Sequence, residues 1–337
     1  MRKRVVISFD YELFFGDNPG TIQGSLVGPT NRILDALRYA QGKATFFVDY
    51  LMLKYMLAEN ETTKAEAELI IEQLKDIVRQ GSRIELHLHP HWVDAKYHDG
   101  KWEFSDFSHY CLNSFPQDEI TRMFVEGTYF LESIAREVEP DYKIVAFRAG
   151  GWAILPFSKM KDGFVKAGIK VDSSVMQGVV IESNGMRLDY SGSPHKGLYR
   201  FTDDVLKEEN NGLFVESQIC SYRSNLFTYI YCSIWHHLHH DITKVLTDGS
   251  HYRSSKNQID TNRKIVRKSR REQIHSLQAF GLTGLPPYIL RYQIKRCQQP
   301  VVVLISHPKD LSQLLLESIR GLKGHVGFES YQLVVNI

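Results

Sequence analysis

A repeated switch of hydrophobic period through the first half of the chain limits what it can fold into. Val5 to Phe9 is a short apolar run of strand type. Asn31 to Tyr39 then sets Ile33, Leu34 and Leu37 at helical spacing behind Pro29, a residue favoured near helix starts. Ala44 to Val48 is strand-like again. Ala65 to Gln80 places Ile70, Leu74, Ile77 and Val78 on one helical face, with Gly81 as its stop. Arg83 to Leu86 reads as the next strand, Gln117 to Val138 as a long helix, and Lys143 to Phe147 as a strand. A helix ending near Gly168 and a strand from Ile169 to Val171 follow. Gly212 to Glu216 reads as another strand, and Pro300 to Ile305 as an uninterrupted apolar strand of the buried parallel type. Repeated β–α units predict a parallel sheet or an α/β barrel covered by helices. No Gly-rich phosphate loop follows the first strand, which argues against a dinucleotide-binding version.

Composition adds a few limits. The 337 residues, 43% hydrophobic, suffice for one large core, and the chain is read as a single domain over 1–337. A net charge of +2 gives no global reason to expect nucleic acid or a membrane surface as a partner. The four cysteines are scattered without a CxxC pair, which suits reduced thiols. Met1-Arg2-Lys3-Arg4 mimics the basic flank of a signal peptide, but Asp10 and Glu12 break the apolar stretch behind it. No run approaches the roughly 18 apolar residues of a spanning helix. The expectation is a soluble, cytoplasmic protein with no transmembrane segment, and the sequon at Asn60-Glu61-Thr62 reads as chance.

Between about 222 and 297 the pattern changes to a helical insertion. An aromatic helix (Tyr222 to Leu238), a polar run, a basic helix (Lys264 to Leu277) and a further helix (Leu285 to Cys297) are expected there. From Arg253 to Arg296, eleven Lys or Arg face only Asp260 and Glu272, either a solvated helix face or a surface for an anionic group. The run His236-His237-Leu238-His239-His240 reads as a solvated helix face, since Asp241 is its only nearby carboxylate.

The ionisable side chains fall at strand ends. Asp10 and Glu12 end the first strand, His87, His89 and His91 follow another, and Arg148, Asp172 and His307 each end one more. In α/β barrels the loops at the carboxyl ends of strands converge on one face, so these groups are expected to share one site. Three histidines within five residues at a strand end suggest a metal centre.

In this order the segments resemble the polysaccharide deacetylase family (carbohydrate esterase family four). Ser8-Phe9-Asp10-Tyr11-Glu12 is similar to its TFDDG motif, Ala44 to Val48 to its ATFF strand, and His87 with His91 to its H-x-x-x-H pair. Phe147-Arg148-Ala149-Gly150-Gly151-Trp152 takes the place of the arginine motif RxPYG. Val171-Asp172-Ser173-Ser174 resembles a strand-end DSS, and Leu304-Ile305-Ser306-His307 the late LxH. The resemblance covers residues 1 to about 180 and 300 to 310. It departs at Tyr11, where the family usually has its second acid, and at Gly150 and Gly151, which replace Pro and Tyr.

The resemblance implies a distorted (β/α) barrel and a metal-dependent sugar N-deacetylase. It implies Glu12, His87 and His91 as ligands of a divalent cation, most simply Zn2+, and Asp10 as general base, aligned by Arg148. His307 would protonate the departing amine, Asp172 would orient His307 or touch the sugar, and Gly151 with Trp152 would line the oxyanion and substrate side. His89 is read as lining. The expected partner is an N-acetylated sugar, a nucleotide-sugar or a lipid-linked saccharide. Competing readings are a metal hydrolase of the amidohydrolase or histidinol-phosphatase type, a C–N hydrolase acting on a non-polymeric amide, and an inactive carbohydrate-binding relative.

Overall fold

The computed structural model describes residues 2–16, 18–106, 108–183, 186–250 and 277–334. Its centre is a nine-stranded sheet. In chain order the strands are β1 (Lys3–Tyr11), β2 (Thr45–Asp49), β3 (Arg83–Leu88), β4 (Ala146–Ala149), β5 (Val171–Asp172), β6 (Leu198–Phe201), β7 (Phe214–Ser217), β8 (Val301–Ser306) and β9 (Val326–Phe328). Across the sheet they run β6-β7-β5-β4-β3-β2-β1-β8, with β9 beside the start of β1. Every pairing is parallel except β6 with β7.

The two ends of this ladder approach one another. Phe280 N–H donates to the Cys220 carbonyl at 2.9 Å, just past β7, and the Phe280 carbonyl accepts from Ile305 N–H of β8 at 3.0 Å. Val303 N–H also donates to Cys220 Sγ at 3.3 Å. A short segment thus spans the gap between β8 and β7, and the sheet becomes a nearly closed, distorted (β/α) barrel, as expected.

Helices cover it. Helix α1 (Gly28–Ala40) buries Ile33, Leu34, Ala36 and Leu37 and ends at Gln41 in the left-handed region. Helix α2 (Tyr50–Glu59) has no counterpart in the period analysis, because its apolar residues lie all round rather than on one stripe. Helix α3 (Glu61–Arg79) is capped by Asn60, whose side chain accepts from Thr62 and Thr63 N–H at 3.0 and 3.1 Å. Helices α4 (Gln117–Arg136) and α5 (Lys161–Ala167) complete the first half. In the second, α6 (Leu226–Leu238), α7 (His240–Thr243), α8 (Pro287–Arg296) and α9 (Gln313–Arg320) follow.

The aromatic helix starts at Leu226 rather than Tyr222, because Ser221–Arg223 pairs as a strand with Leu277–Ala279. Leu277 is therefore strand and not helix. The rest of the expected basic helix, 264–276, lies outside the described residues.

Candidate metal centre

The site lies past the carboxyl ends of β1, β3, β4 and β8. Strand alternation sends Asp10 and Glu12 to one side and Tyr11 to the other. Tyr11 is fully buried and its hydroxyl donates to Gln73 Oε1 at 2.7 Å, so this departure from the family motif is a core residue.

His87 and His89 follow the same alternation out of β3. His87 Nδ1 lies 2.6 Å from the Arg148 carbonyl, which assigns Nδ1 as the donor and turns Nε2 toward Glu12 Oε2 at 3.1 Å. His89 Nε2 lies 2.6 Å from the same oxygen. One ligand atom from each of Glu12, His87 and His89 falls within 4.8 Å of the others, and all three residues are buried. His91, expected as the second imidazole, is outside this group. It sits in the 3-10 turn Pro90–Asp94, where the two-residue alternation has ended. Its ring packs on Phe15 (centroids 4.2 Å apart) and Phe104 (5.1 Å). The metal-capable pair is thus His87 with His89, two apart, and the lining position falls to His91.

Glu12 is the hub. Its Oε1 accepts from Lys309 Nζ at 2.7 Å, and the ammonium also donates to the Leu13 carbonyl at 2.9 Å and lies 4.4 Å from the Phe15 ring centre. Burial alone would raise the Glu12 carboxyl, but Lys309 and the two imidazoles hold it well below the usual carboxylate range. Lys309 escaped the sequence reading, although it stands two residues after His307.

Asp10 is held by Arg148. The fully buried guanidinium donates to Asp10 Oδ1 at 2.6 Å, to Ser8 Oγ at 2.9 Å and to the Ser173 carbonyl at 2.8 Å, and its carbon lies 4.2 Å from the centre of the Phe47 ring. Burial would raise Asp10, yet Arg148, His87 and His307 bring it below its ordinary value. His307 Nε2 approaches Asp10 Oδ2 at 3.6 Å and Glu12 Oε1 at 3.7 Å. Its Nδ1 meets Asp310 Oδ2 at 3.1 Å. Burial would depress His307, but the Asp310 bond and charge raise it overall.

The orienting partner of His307 is therefore Asp310, not Asp172. Asp172 is fully buried, with Oδ1 accepting from Ser174 Oγ at 2.7 Å and Oδ2 from Ser174 N–H at 3.2 Å. It pairs across the sheet with Glu216, an equally buried acid. Its carboxylate is thus taken up by Ser174 and Glu216 rather than by His307.

The two glycines after Arg148 answer to close approach. A Cβ at Gly150 would stand 2.7 Å from His89 Nδ1, and one at Gly151 (φ +59°) would stand 2.7 Å from the Tyr110 hydroxyl. Trp152 is half-buried, packed against Met176, Ile219 and Ile305, and its carbonyl accepts from the Tyr190 hydroxyl. Asp49, at the end of β2, was also missed. Its Oδ1 accepts from His89 N–H at 3.2 Å, and burial pushes its carboxyl up to about 7.

Two imidazoles and a carboxylate form a common divalent-cation donor set. The fit is supported by buried atoms beside it that have no hydrogen-bond partner among the described residues, Asp49 Oδ2 and His89 Nδ1. Burial, with His89 beside it, holds the lining His91 well below its usual value.

The molecule is thus a nearly closed, mostly parallel α/β barrel with a histidine–carboxylate cluster at its strand ends. No protein-family model matches the chain, and no curated protein matches it. Solved structures with a similar arrangement include one from Mycobacterium smegmatis assigned to the polysaccharide deacetylases (14% identity, 99% of this chain and 89% of that one, TM-score 0.48). A family 4 carbohydrate esterase from Streptomyces lividans, in complex with acetate, is 10% identical over 98% of this chain and 94% of that one (TM-score 0.40). A 4-alpha-glucanotransferase from Thermococcus litoralis also matches, at 10% identity over 99% of this chain and 38% of that one (TM-score 0.45). The family expected from the motifs is among them; at such identities, activity has to be argued from the side chains.

Proposed function

We propose that this protein is a metal-dependent hydrolase that removes the N-acetyl group from a sugar. One observation carries the reading. A carboxylate with two imidazoles (Glu12, His87, His89) adjoins an arginine-held acid (Asp10) and a carboxylate-held histidine (His307). Amide hydrolysis needs a polarised carbonyl, a base for the attacking water and an acid for the amine, and this set supplies the residues for all three.

Glu12, His87 and His89 would hold the cation, zinc by the preference of a mixed imidazole–carboxylate set. When bound, it supplies Lewis-acid polarisation and raises the acidity of water. Asp10, ionised against Arg148, takes the proton of the attacking water at Oδ2, the oxygen that Arg148 leaves free for it. His307 carries a proton at Nε2 for the departing nitrogen while Asp310 fixes the ring through Nδ1. The Gly151 N–H serves as oxyanion donor and Trp152 borders the sugar. The C–N bond breaks, a C–O bond forms, and acetate and a free amino-sugar leave. Nucleotide-sugars and lipid-linked saccharides of surface-polysaccharide assembly are the substrates we favour, because the basic 253–296 sequence suits a phosphate-bearing sugar; cytoplasmic residence accords with them.

Acetate release from N-acetylhexosamine oligosaccharides and nucleotide-N-acetylhexosamines, with elemental analysis of the same preparation, tests this. Wild type should carry a divalent metal and lose activity to a chelator. Asp10→Asn should keep the metal and lose roughly 10²–10⁴-fold in kcat. Full activity in Asp10→Asn sinks the base assignment. Wild type with neither metal nor acetate release would overturn the reading, and binding of the same oligosaccharides by that protein would make it an inactive carbohydrate-binding relative.

A further inference from the structure

Helix α6 is amphipathic the wrong way round. Its sequence, LFTYIYCSIWHHL, is strongly apolar, yet none of its residues is buried. The outward stripe is the greasy one: Leu226, Phe227, Ile230, Tyr231, Ile234 and Leu238 are all exposed, Phe227 by 83%. Their spacing of three and four residues places them on one face about 20 Å long. The inward side carries the half-buried Thr228, Tyr229, Cys232 and Trp235 instead.

The neighbouring helix continues the surface. The Tyr231 and Tyr288 rings meet with centroids 6.1 Å apart, and His236 Nε2 lies 3.2 Å from the Gly284 carbonyl. Helix α8 buries Leu290 and Ile294 and turns Tyr288, Tyr292, Lys295 and Arg296 outward. Apolar side chains thus give way to tyrosines and then to cations. Arg223 before α6 and Lys244 after α7 are exposed cations too. Neither α6 nor α8 contains an Asp or Glu.

Monomeric proteins rarely expose so large an apolar stripe without a partner. Two copies meeting through this face would bring like-charged flanks together. An anionic lipid surface complements both parts: acyl chains take the leucine, isoleucine and phenylalanine side chains, the headgroup zone takes the tyrosines, and lipid phosphates take the cations. No helix among the described residues is long and apolar enough to cross a membrane, so the geometry is that of a helix lying in the interface.

We propose that α6, flanked by α8, is a membrane-surface docking helix for anionic lipid, independent of whatever reaction the strand-end site performs. Flotation of the full chain with phosphatidylglycerol–phosphatidylcholine vesicles, against phosphatidylcholine alone, tests it. Wild type should float with the anionic vesicles, bind neutral ones less, and be partly released by salt. The double variant Ile230→Glu/Ile234→Glu should lose at least about tenfold in partitioning, with its melting temperature unchanged because both positions are exposed. Leu69→Glu, an equally exposed change on α3, should bind as wild type. Three results overturn the proposal: no flotation of wild type, equal partitioning of wild type and the double variant, or a wild-type dimer that the double variant dissociates. The last would assign the face to a second copy of the chain.

Discussion

At the residue scale, the centre depends on the direction in which a strand delivers its side chains. His87 and His91 are four apart, a spacing that joins side chains on a helix, but β3 runs through Leu88 and pairs His87 with His89. The variants should separate the two. His89→Ala should lose most of the bound metal, while His91→Ala should retain it, as measured by elemental analysis after dialysis against a weak chelator. Metal lost from His91→Ala and kept by His89→Ala would restore the i, i+4 pair. Asp10, Glu12, His87, Arg148 and His307 were legible because each ends an apolar run. Lys309, Asp310 and Asp49 were not, since nothing in a single sequence says that a lysine or aspartate beside a loop will turn inward and pair.

At the element scale, strand positions were legible and their polar ties were not. Glu85, inside β3, accepts from Arg83 Nε at 2.7 Å and from Val145 and Ala146 N–H at 2.8 and 2.9 Å, fastening β3 to the start of β4. Both side chains of the ion pair are buried, at 7% and 0% exposure. Glu85→Ala removes the counter-charge of a buried guanidinium and the acceptor of two amides, while Arg83 keeps the Lys143 carbonyl and Gln332 Oε1, so a loss of about 3 kcal/mol is expected in urea unfolding. A change under 1 kcal/mol would mean that water replaces the carboxylate. Helix α2 shows the opposite limit: a segment apolar on every side has no period to read, although its Leu, Met, Lys, Ala and Glu residues are good helix formers.

At the scale of the whole molecule, stability is tied to pH through an acid pair. Asp172 and Glu216 stand opposite each other on β5 and β7 with no exposure. Burial, then the Asp172 charge, pushes Glu216 well above the ordinary glutamate value. The folded state therefore keeps a proton that the unfolded chain releases near pH 4.3. This contribution is complete below that pH and declines as pH rises toward the folded value, by up to about 1.4 kcal/mol per pH unit. Glu216→Gln supplies a permanent donor to Asp172 and removes the dependence. Urea unfolding between about pH 5 and 8 should show wild type losing stability relative to Glu216→Gln; parallel curves would show that the pair is not protonated. The β–α alternation left a parallel sheet and a barrel both open and the family resemblance implied the barrel, whereas its closure was not legible, because it runs through Cys220 and Phe280, two residues in segments with no repeat.

The contact between Glu12 and Lys309 joins positions 297 residues apart, and β1 finds its β8 partner at the same remove. On a ribosome that emits the chain from the amino end, β1 and its two acids emerge 297 residues before the partners they meet. Until β8 docks, one edge of β1 is open and Glu12 lacks its ammonium partner. Translation therefore delivers the acids of the centre well before the ammonium and the strand edge that enclose them.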